Sequence, residues 1–127
     1  MRMTAAALLP AREMDQARRI PRTRTYNLGR LSRIRFGTGR TFIVDARMVA
    51  VFRSPSWRLF ATQADCPHCR GPLADGILGG THLICSVDTF KFDLTSGQPI
   101  GHACAALKTY PVELSDRGDI RLYLEEH

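Results

Sequence analysis

The sequence lacks a long hydrophobic run: no apolar stretch approaches the roughly 20 residues that a transmembrane helix needs. It also lacks a phosphate-binding loop, a nucleophile–base pair and a pair of carboxylates placed for acid–base chemistry. No internal repeat or low-complexity segment is present. We therefore expect a soluble protein without a transmembrane segment, and no motif indicates an enzyme that acts alone.

Acidic residues are scarce at the front of the chain. Residues 1–40 hold ten arginines against Glu13 and Asp15, whereas residues 41–127 hold eight basic and ten acidic residues. We interpret residues 1–25 as a flexible, Arg-rich extension, solvated unless it contacts an acidic partner. No aromatic or helical pattern organises these arginines, so we expect no specific nucleic-acid binding.

A recognisable export signal is also missing. The pair Arg18 and Arg19 is followed by Ile20 and Pro21 instead of an apolar stretch. The cytoplasm is therefore the expected compartment, and thiols stay reduced there. The four cysteines then favour a metal or an iron–sulfur cluster over disulfides.

Short runs rich in β-branched and aromatic residues fill the chain from Tyr26 onward, with turn signals between them. This pattern predicts a single all-β domain over residues 26–127, an antiparallel sandwich or small barrel. The predicted strands are Thr41–Asp45, Met48–Arg53, Arg58–Thr62, Thr81–Cys85, Thr89–Asp93, Lys108–Leu114 and Ile120–Leu124. Residues 65–80 are dense in Gly, Pro, Asp and Cys, which indicates a loop.

Several metal-binding residue types lie in and beside this loop, and two selections from them make chemical sense. One is Cys66, Cys69, His82 and Cys85, which reads Cys-x2-Cys-x12-His-x2-Cys and fits a structural zinc site. The other is Cys66-x-His68, then sixteen residues, then Cys85-x2-Asp88. With histidine at position 88, the second spacing would match a Rieske [2Fe–2S] centre, in which two Cys and two His hold the irons.

The surroundings add to the second selection. The stretch CPHCRGPLADGILGGTHLICSVDTFKFDLTSGQPIG, residues 66–101, resembles the cluster-binding region of Rieske ferredoxins throughout. The later YPVEL and the upstream RTFIVDARMVAVFR also fall in family order. The resemblance is greatest to the small subunit of assimilatory nitrite reductases. It spans about residues 26–124, nearly the whole predicted domain.

This resemblance implies a Rieske-like fold with a cluster-binding subdomain at about residues 64–99. It also implies a [2Fe–2S] cluster with Cys66 and Cys85 on the inner iron, and His68 and Asp88 on the outer iron. Four further residues would shape or shield the site by family position: Gly71, Pro72, Leu73 and Phe90. The implied function is transfer of single electrons between a reductase and a redox enzyme, or service as the small redox subunit of an oxidoreductase. The implied partner is accordingly a reductase or a larger oxidoreductase subunit.

Asp88 departs from the family, which has a second histidine there. An Asp oxygen is attached to Cγ, as is the Nδ1 atom through which Rieske histidines bind, so the carboxylate can reach a similar place. Its negative charge lowers the expected reduction potential toward that of plant-type clusters. Cys69 is the candidate substitute ligand if Asp88 does not bind. The remaining alternatives are a cluster-free Rieske fold that serves as a binding or scaffold subunit, and the zinc site with His82.

Overall fold

The computed structural model describes residues 23–55 and 58–125. These residues form eleven antiparallel strands and two short 3-10 helices, at Leu31–Arg33 and Leu73–Asp75, with no α-helix in the same ranges. The strands are β1 (Thr23–Arg30), β2 (Gly39–Val44), β3 (Arg47–Arg53), β4 (Leu59–Gln63), β5 (Ile77–Gly79), β6 (His82–Ile84), β7 (Lys91–Asp93), β8 (Pro99–Ile100), β9 (Thr109–Tyr110), β10 (Val112–Leu114) and β11 (Asp119–Glu125). Within these ranges, no helix is long and apolar enough to span a membrane.

The strands make three sheets, with the orders β1-β11-β10, β2-β3-β4-β9 and β5-β6-β7-β8. The first two sheets pack together over a base core that includes Val49, Val51 and Leu122. The third sheet packs over a second core that joins Phe52 of β3 to Phe92 of β7. This third sheet and the loops beside it form a small subdomain on top of the base.

Strand β3 belongs to both cores. Its side chains alternate, so that Val49 and Val51 enter the base core while Ala50 and Phe52 enter the second core. All four are fully buried. A strand buried on both faces has a continuous apolar run instead of alternation, and the segment MVAVF has this pattern.

The predicted all-β fold is confirmed, and the predicted strands appear with small shifts. The hairpin of β2 and β3 closes through Asp45 and Ala46, whose φ angles of 51° and 67° are those of a two-residue hairpin turn. The predicted strand Lys108–Leu114 is divided into β9 and β10 at Pro111, which has no N–H to continue a ladder.

Three strands lie outside the predicted set. Strand β1 begins at Thr23, inside the segment that the sequence assigns to the N-terminal extension, and pairs with β11. Strand β5 lies within the predicted loop of residues 65–80, and β8 has only two residues. Residues 1–22, with most of the Arg-rich extension, lie outside the described residues.

Phe52 offers a test of the second core. Replacing Phe52, 0% exposed, with Ala should lower the free energy of unfolding by about 3–5 kcal/mol, because a large buried ring leaves a cavity. The matched control is Ile43→Ala on β2, where the side chain is 78% exposed and the loss should be about 1 kcal/mol or less. Urea unfolding measures both, and similar losses would contradict the two-core arrangement.

Candidate functional site

Two loops at the end of the third sheet carry the candidate ligands. Loop 1, residues 66–71, lies between β4 and β5, and it is closed by two backbone hydrogen bonds. The Cys66 amide donates to the Gly71 carbonyl at 2.9 Å, and the Arg70 amide donates to the Cys66 carbonyl at 2.8 Å. Arg70 has a φ of 63°, a left-handed conformation that a non-glycine residue rarely adopts. The turn reverses the chain so that its side chains face the second loop.

Loop 2, residues 85–90, lies between β6 and β7 and repeats this geometry. The Cys85 amide donates to the Phe90 carbonyl at 2.8 Å, and the Thr89 amide donates to the Cys85 carbonyl at 3.0 Å. Thr89 has a φ of 62°, matching Arg70 in loop 1. The two loops are therefore related position by position, with a buried cysteine first in each.

The loops bring four metal-binding side chains together. One ligand atom from each of Cys66, Cys69, Cys85 and Asp88 lies within 4.8 Å of the others. The Cys69 and Cys85 sulfurs are 3.6 Å apart, and the Cys66 sulfur is 3.5 Å from Asp88 Oδ2. Soft sulfur and carboxylate oxygen at this spacing can hold a metal ion or cluster.

His68 lies beside this group and contacts it through Asp88. The Nδ1 atom of His68 is 2.8 Å from Asp88 Oδ2, and the His68 side chain is 49% exposed. Asp88, only 11% exposed, also accepts a hydrogen bond on Oδ1 from the Phe90 amide at 2.9 Å. The carboxylate is held from two sides, and both of its oxygens are engaged.

Burial and hydrogen bonding shift the pKa values of Cys66 and Asp88 in opposite directions. Burial raises the pKa of the Cys66 thiol to about 12, and backbone hydrogen bonds from Cys69 and His68 only partly oppose it. Burial also disfavours the charged form of Asp88, but hydrogen bonds from the Phe90 amide and from His68 hold the pKa of that carboxyl well below its ordinary value. Asp88 is thus ionised at neutral pH, whereas Cys66 loses its proton only when a metal takes its place.

Phe90 links the site to a third loop, residues 101–108, between β8 and β9. Its ring lies between the imidazoles of His68 and His102, with centroid distances of 4.2 Å and 3.9 Å. The His102 imidazole is packed between two aromatic rings. The ring is half-buried between Phe90 and Phe92, and its Nε2 atom donates to the Lys91 carbonyl at 2.9 Å. No sequence signal marks this residue, because tertiary packing buries it.

The remaining candidate residues occupy distinct places. Leu73 is fully buried in the second core beneath loop 1, and Pro72 pairs with Asp65 in a one-residue bridge that closes the base of that loop. His82 is exposed on β6 and is not a member of the four-residue group. The zinc alternative requires His82 at the metal, so this geometry does not favour it.

The family model for Rieske-like [2Fe–2S] domains matches residues 26–122. The chain belongs to the Rieske-like [2Fe–2S] domain family. A 4β-methylsterol monooxygenase from Methylococcus capsulatus is 38% identical over 45 residues, which are 35% of this chain and 12% of that protein. The chain therefore matches only a small part of this curated relative.

Two solved structures share the fold. A protein of Mycobacterium tuberculosis, assigned as the small subunit of an NADH-dependent nitrite reductase, superposes with a TM-score of 0.76 at 17% identity, covering 84% of this chain and 99% of that one. The ferredoxin of carbazole 1,9a-dioxygenase from Nocardioides aromaticivorans superposes with a TM-score of 0.69 at 22% identity, covering 77% and 95%.

The site of this Rieske-like domain fits the [2Fe–2S] cluster of its family. Cluster iron takes thiolate ligands, and hydrogen bonds to the sulfurs tune it. Three cysteine sulfurs converge here, and the Gly71 amide donates to the Cys69 sulfur at 3.4 Å. Which of Cys66, His68, Cys69, Cys85 and Asp88 bind the irons stays a prediction at this point.

Gly71 sets the spacing of the two loops. A Cβ atom there would lie 2.7 Å from a methyl group of Val87 in loop 2 and 3.3 Å from the Cys69 sulfur. Gly71→Ala should therefore push the loops apart and lower the free energy of unfolding by about 1–3 kcal/mol, the range for overpacking. Urea unfolding measures the loss.

Two further variants make this test specific. The double variant Gly71→Ala with Val87→Ala removes the methyl group and should recover most of the loss. Gly79→Ala places the same methyl group in open space on β5 and should be close to neutral. A double variant as unstable as the single one would show that contact between the loops is not the cause.

Proposed function

We propose that this Rieske-like domain is an electron-transfer protein that works as a ferredoxin or as the small subunit of a larger oxidoreductase. The observation that carries the proposal is the convergence of three thiols and a carboxylate at the end of two matched loops. A bound [2Fe–2S] cluster accepts and releases single electrons.

In the proposed assignment, Cys66 and Cys85 hold the inner iron and Asp88 holds the outer iron. Both cysteines are buried, at 0% and 1% exposure, whereas Val87 at the tip of loop 2 is 63% exposed. The inner sulfurs are thus screened from water, and the outer side of the site faces the surface. The second protein ligand of the outer iron is then either His68, which has the family position, or Cys69, whose sulfur lies close to the other ligand atoms.

The charge of Asp88 affects the reduction potential of the proposed centre. A carboxylate brings a negative charge where a histidine would be neutral, and adding an electron to a more negative site is less favourable. The reduction potential should therefore lie below that of centres with two histidines. One titratable imidazole is also absent, which weakens the coupling of reduction to proton uptake.

The proposed partner is a redox protein that meets the exposed side of the site. The related structures belong to a nitrite reductase small subunit and to a dioxygenase ferredoxin, and both names imply a larger oxidoreductase. Exposed Val87 and the half-exposed ring of His68 offer a small apolar contact beside the outer ligands. A partner with an acidic surface could in addition contact the arginines of residues 1–25.

The first test is cofactor content. Full-length protein purified without air and reconstituted with iron and sulfide should contain two irons and two sulfides per chain, as a [2Fe–2S] cluster requires. Reduction with dithionite should bleach its visible absorption and produce an EPR signal. A protein that takes up neither iron nor electrons under these conditions is not an electron carrier, and the scaffold alternative would then replace this proposal.

Asp88→His tests the electrostatic argument. The neutral imidazole should raise the reduction potential, and the potential should fall as pH rises, because the imidazole loses its proton more readily in the oxidised state. Redox titration at several pH values, followed by EPR, measures both effects. Asp75→His, at an exposed carboxylate outside the group, makes the same change in net charge and should shift the potential much less. Equal shifts would mean that Asp88 is not at the iron.

A further inference from the structure

We propose that five arginines of the base form a docking surface for a partner protein that presents carboxylates around an exposed apolar side chain. The five, which we call the arginine face, are Arg33, Arg35, Arg40, Arg53 and Arg58. Four of these side chains are exposed, and that of Arg53 is half-buried. The inference rests on the proposed function only for the identity of the partner, which would be the larger subunit of an oxidoreductase. It does not depend on which residues bind the irons.

The first argument is the charge of this part of the chain. Residues 23–64 hold eight arginines and a single acidic residue, Asp45. Two other arginines of the segment form ion pairs, Arg24 with Asp45 and Arg30 with Asp119. Within the described residues, by contrast, no arginine of the arginine face forms an ion pair with a carboxylate. A cluster of positive charge without carboxylate partners attracts an acidic surface.

Backbone contacts hold three of these guanidinium groups in place. Arg33 donates to the Leu28 carbonyl at 2.8 Å. Arg40 donates to the Arg33 carbonyl at 2.9 Å. Arg53 donates to the Ile34 carbonyl at 3.1 Å. An arginine that is already ordered loses less side-chain entropy on binding, and its remaining N–H groups can pair with a carboxylate of the partner.

An apolar cleft lies beside these arginines. Its volume is about 170 Å³, and Arg53 and Arg58 are part of its lining. Glu113 also lines the cleft, and it is paired with Arg121 at 3.7 Å. The apolar residues of the lining are Leu31, Leu59, Val112 and Leu114. An apolar cavity of ~150 Å³ holds a benzene molecule, so this cleft is large enough for one apolar side chain.

The composition of the surface favours a protein over a nucleic acid or a membrane. The Phe36 ring is 47% exposed, and the Arg53 guanidinium lies over it at 5.6 Å from the ring centroid. Arginine and aromatic residues beside an apolar pocket are typical of the energetic centre of protein interfaces. Stacking on single-stranded nucleic acid uses several rings, whereas Phe36 is the one exposed aromatic ring that the described residues place here. A phosphate has no affinity for an apolar cleft, but a leucine of a protein does.

The arginine face lies away from the ligand loops. Ser54 directly follows Arg53, and its hydroxyl donates to the carbonyl of Gly80, in the turn between β5 and β6. Loops 1 and 2 lie at the opposite end of the third sheet, before β5 and after β6. A partner bound to the arginine face therefore anchors the domain through its base and leaves the exposed side of the site free for electron exchange.

Binding of an acidic peptide to the full-length protein tests the proposal. The probe is a synthetic, fluorescein-labelled peptide with one leucine between two runs of glutamates, and fluorescence anisotropy at about 0.1 M salt measures its affinity. Arg35→Glu and Arg58→Glu should each weaken binding about tenfold, because a like charge then faces the glutamates. Lys108→Glu makes the same change in charge at an exposed lysine before β9 and should alter the affinity about twofold or less. Residues 1–22 are present in every variant, so these differences report the arginine face alone.

A second peptide tests the cleft. Replacing the leucine of the probe with serine should weaken binding about tenfold, because the apolar contact is lost while the charge is unchanged. In the NMR spectrum of the ¹⁵N-labelled protein, the leucine peptide should shift the amide signals of residues 31–40, 53–59 and 112–114. Equal affinity of the two peptides, or shifts confined to other residues, would contradict the proposed surface.

Three further outcomes would overturn the proposal. One is no binding of the acidic peptide by the wild type, and another is an equal loss of binding in Lys108→Glu. The third is tighter binding of a DNA duplex, or of vesicles of phosphatidylserine and phosphatidylcholine, that the same arginine variants abolish. Circular dichroism and iron content of each variant show whether the fold and the centre are intact. A chain that binds the peptide but takes up no cluster refutes only the proposed function, and a chain that takes up a cluster but does not bind the peptide refutes only this inference.

Discussion

In both ligand loops the amide of the leading cysteine donates to the carbonyl five residues later, and the residue before that carbonyl adopts a left-handed conformation. This closure fixes where each loop points its side chains. It carries a cost, because a left-handed conformation at a non-glycine residue is unfavourable by ~1–2 kcal/mol. Strain of this kind persists where the surrounding structure compensates for it, and it collects at functional sites. Here the second core supplies that support, since Cys66 and Cys85 are part of it.

The sequence predicted the main features of the fold because they arise from local patterns. The β2–β3 hairpin follows from two β-branched runs about a short polar turn, and loop 1 follows from its density of Gly, Pro and Cys. Strand β1 was missed because its residues are mostly Thr and Arg with little alternation, and only pairing with β11 makes them a strand. Strands β5 and β8 are too short to give a periodic signal.

For the site, the sequence predicted two segments whose metal-binding side chains lie together in the structure, but it leaves open which of these side chains bind the irons. The resemblance to Rieske ferredoxins selects His68 by family position, and spacing alone makes Cys69 only a spare thiol. The matched closure of the loops is invisible in sequence, because its left-handed positions carry Arg70 and Thr89 instead of glycine or asparagine. The burial of His102 against Phe90 likewise depends on a contact between separate loops.

Strand β3 has a consequence for how the protein responds to stress. Its two faces complete two different cores, and the Ser54 hydroxyl just after it donates to the Gly80 carbonyl of the upper subdomain at 2.6 Å. Neither hydrophobic core is complete without β3, because side chains of this strand belong to both. The base and the metal-binding subdomain therefore form one cooperative unit, in which slow amide exchange should extend from the base sheet into the strands that flank the ligand loops. A substitution in the base core should therefore also weaken metal binding, although it contacts no ligand.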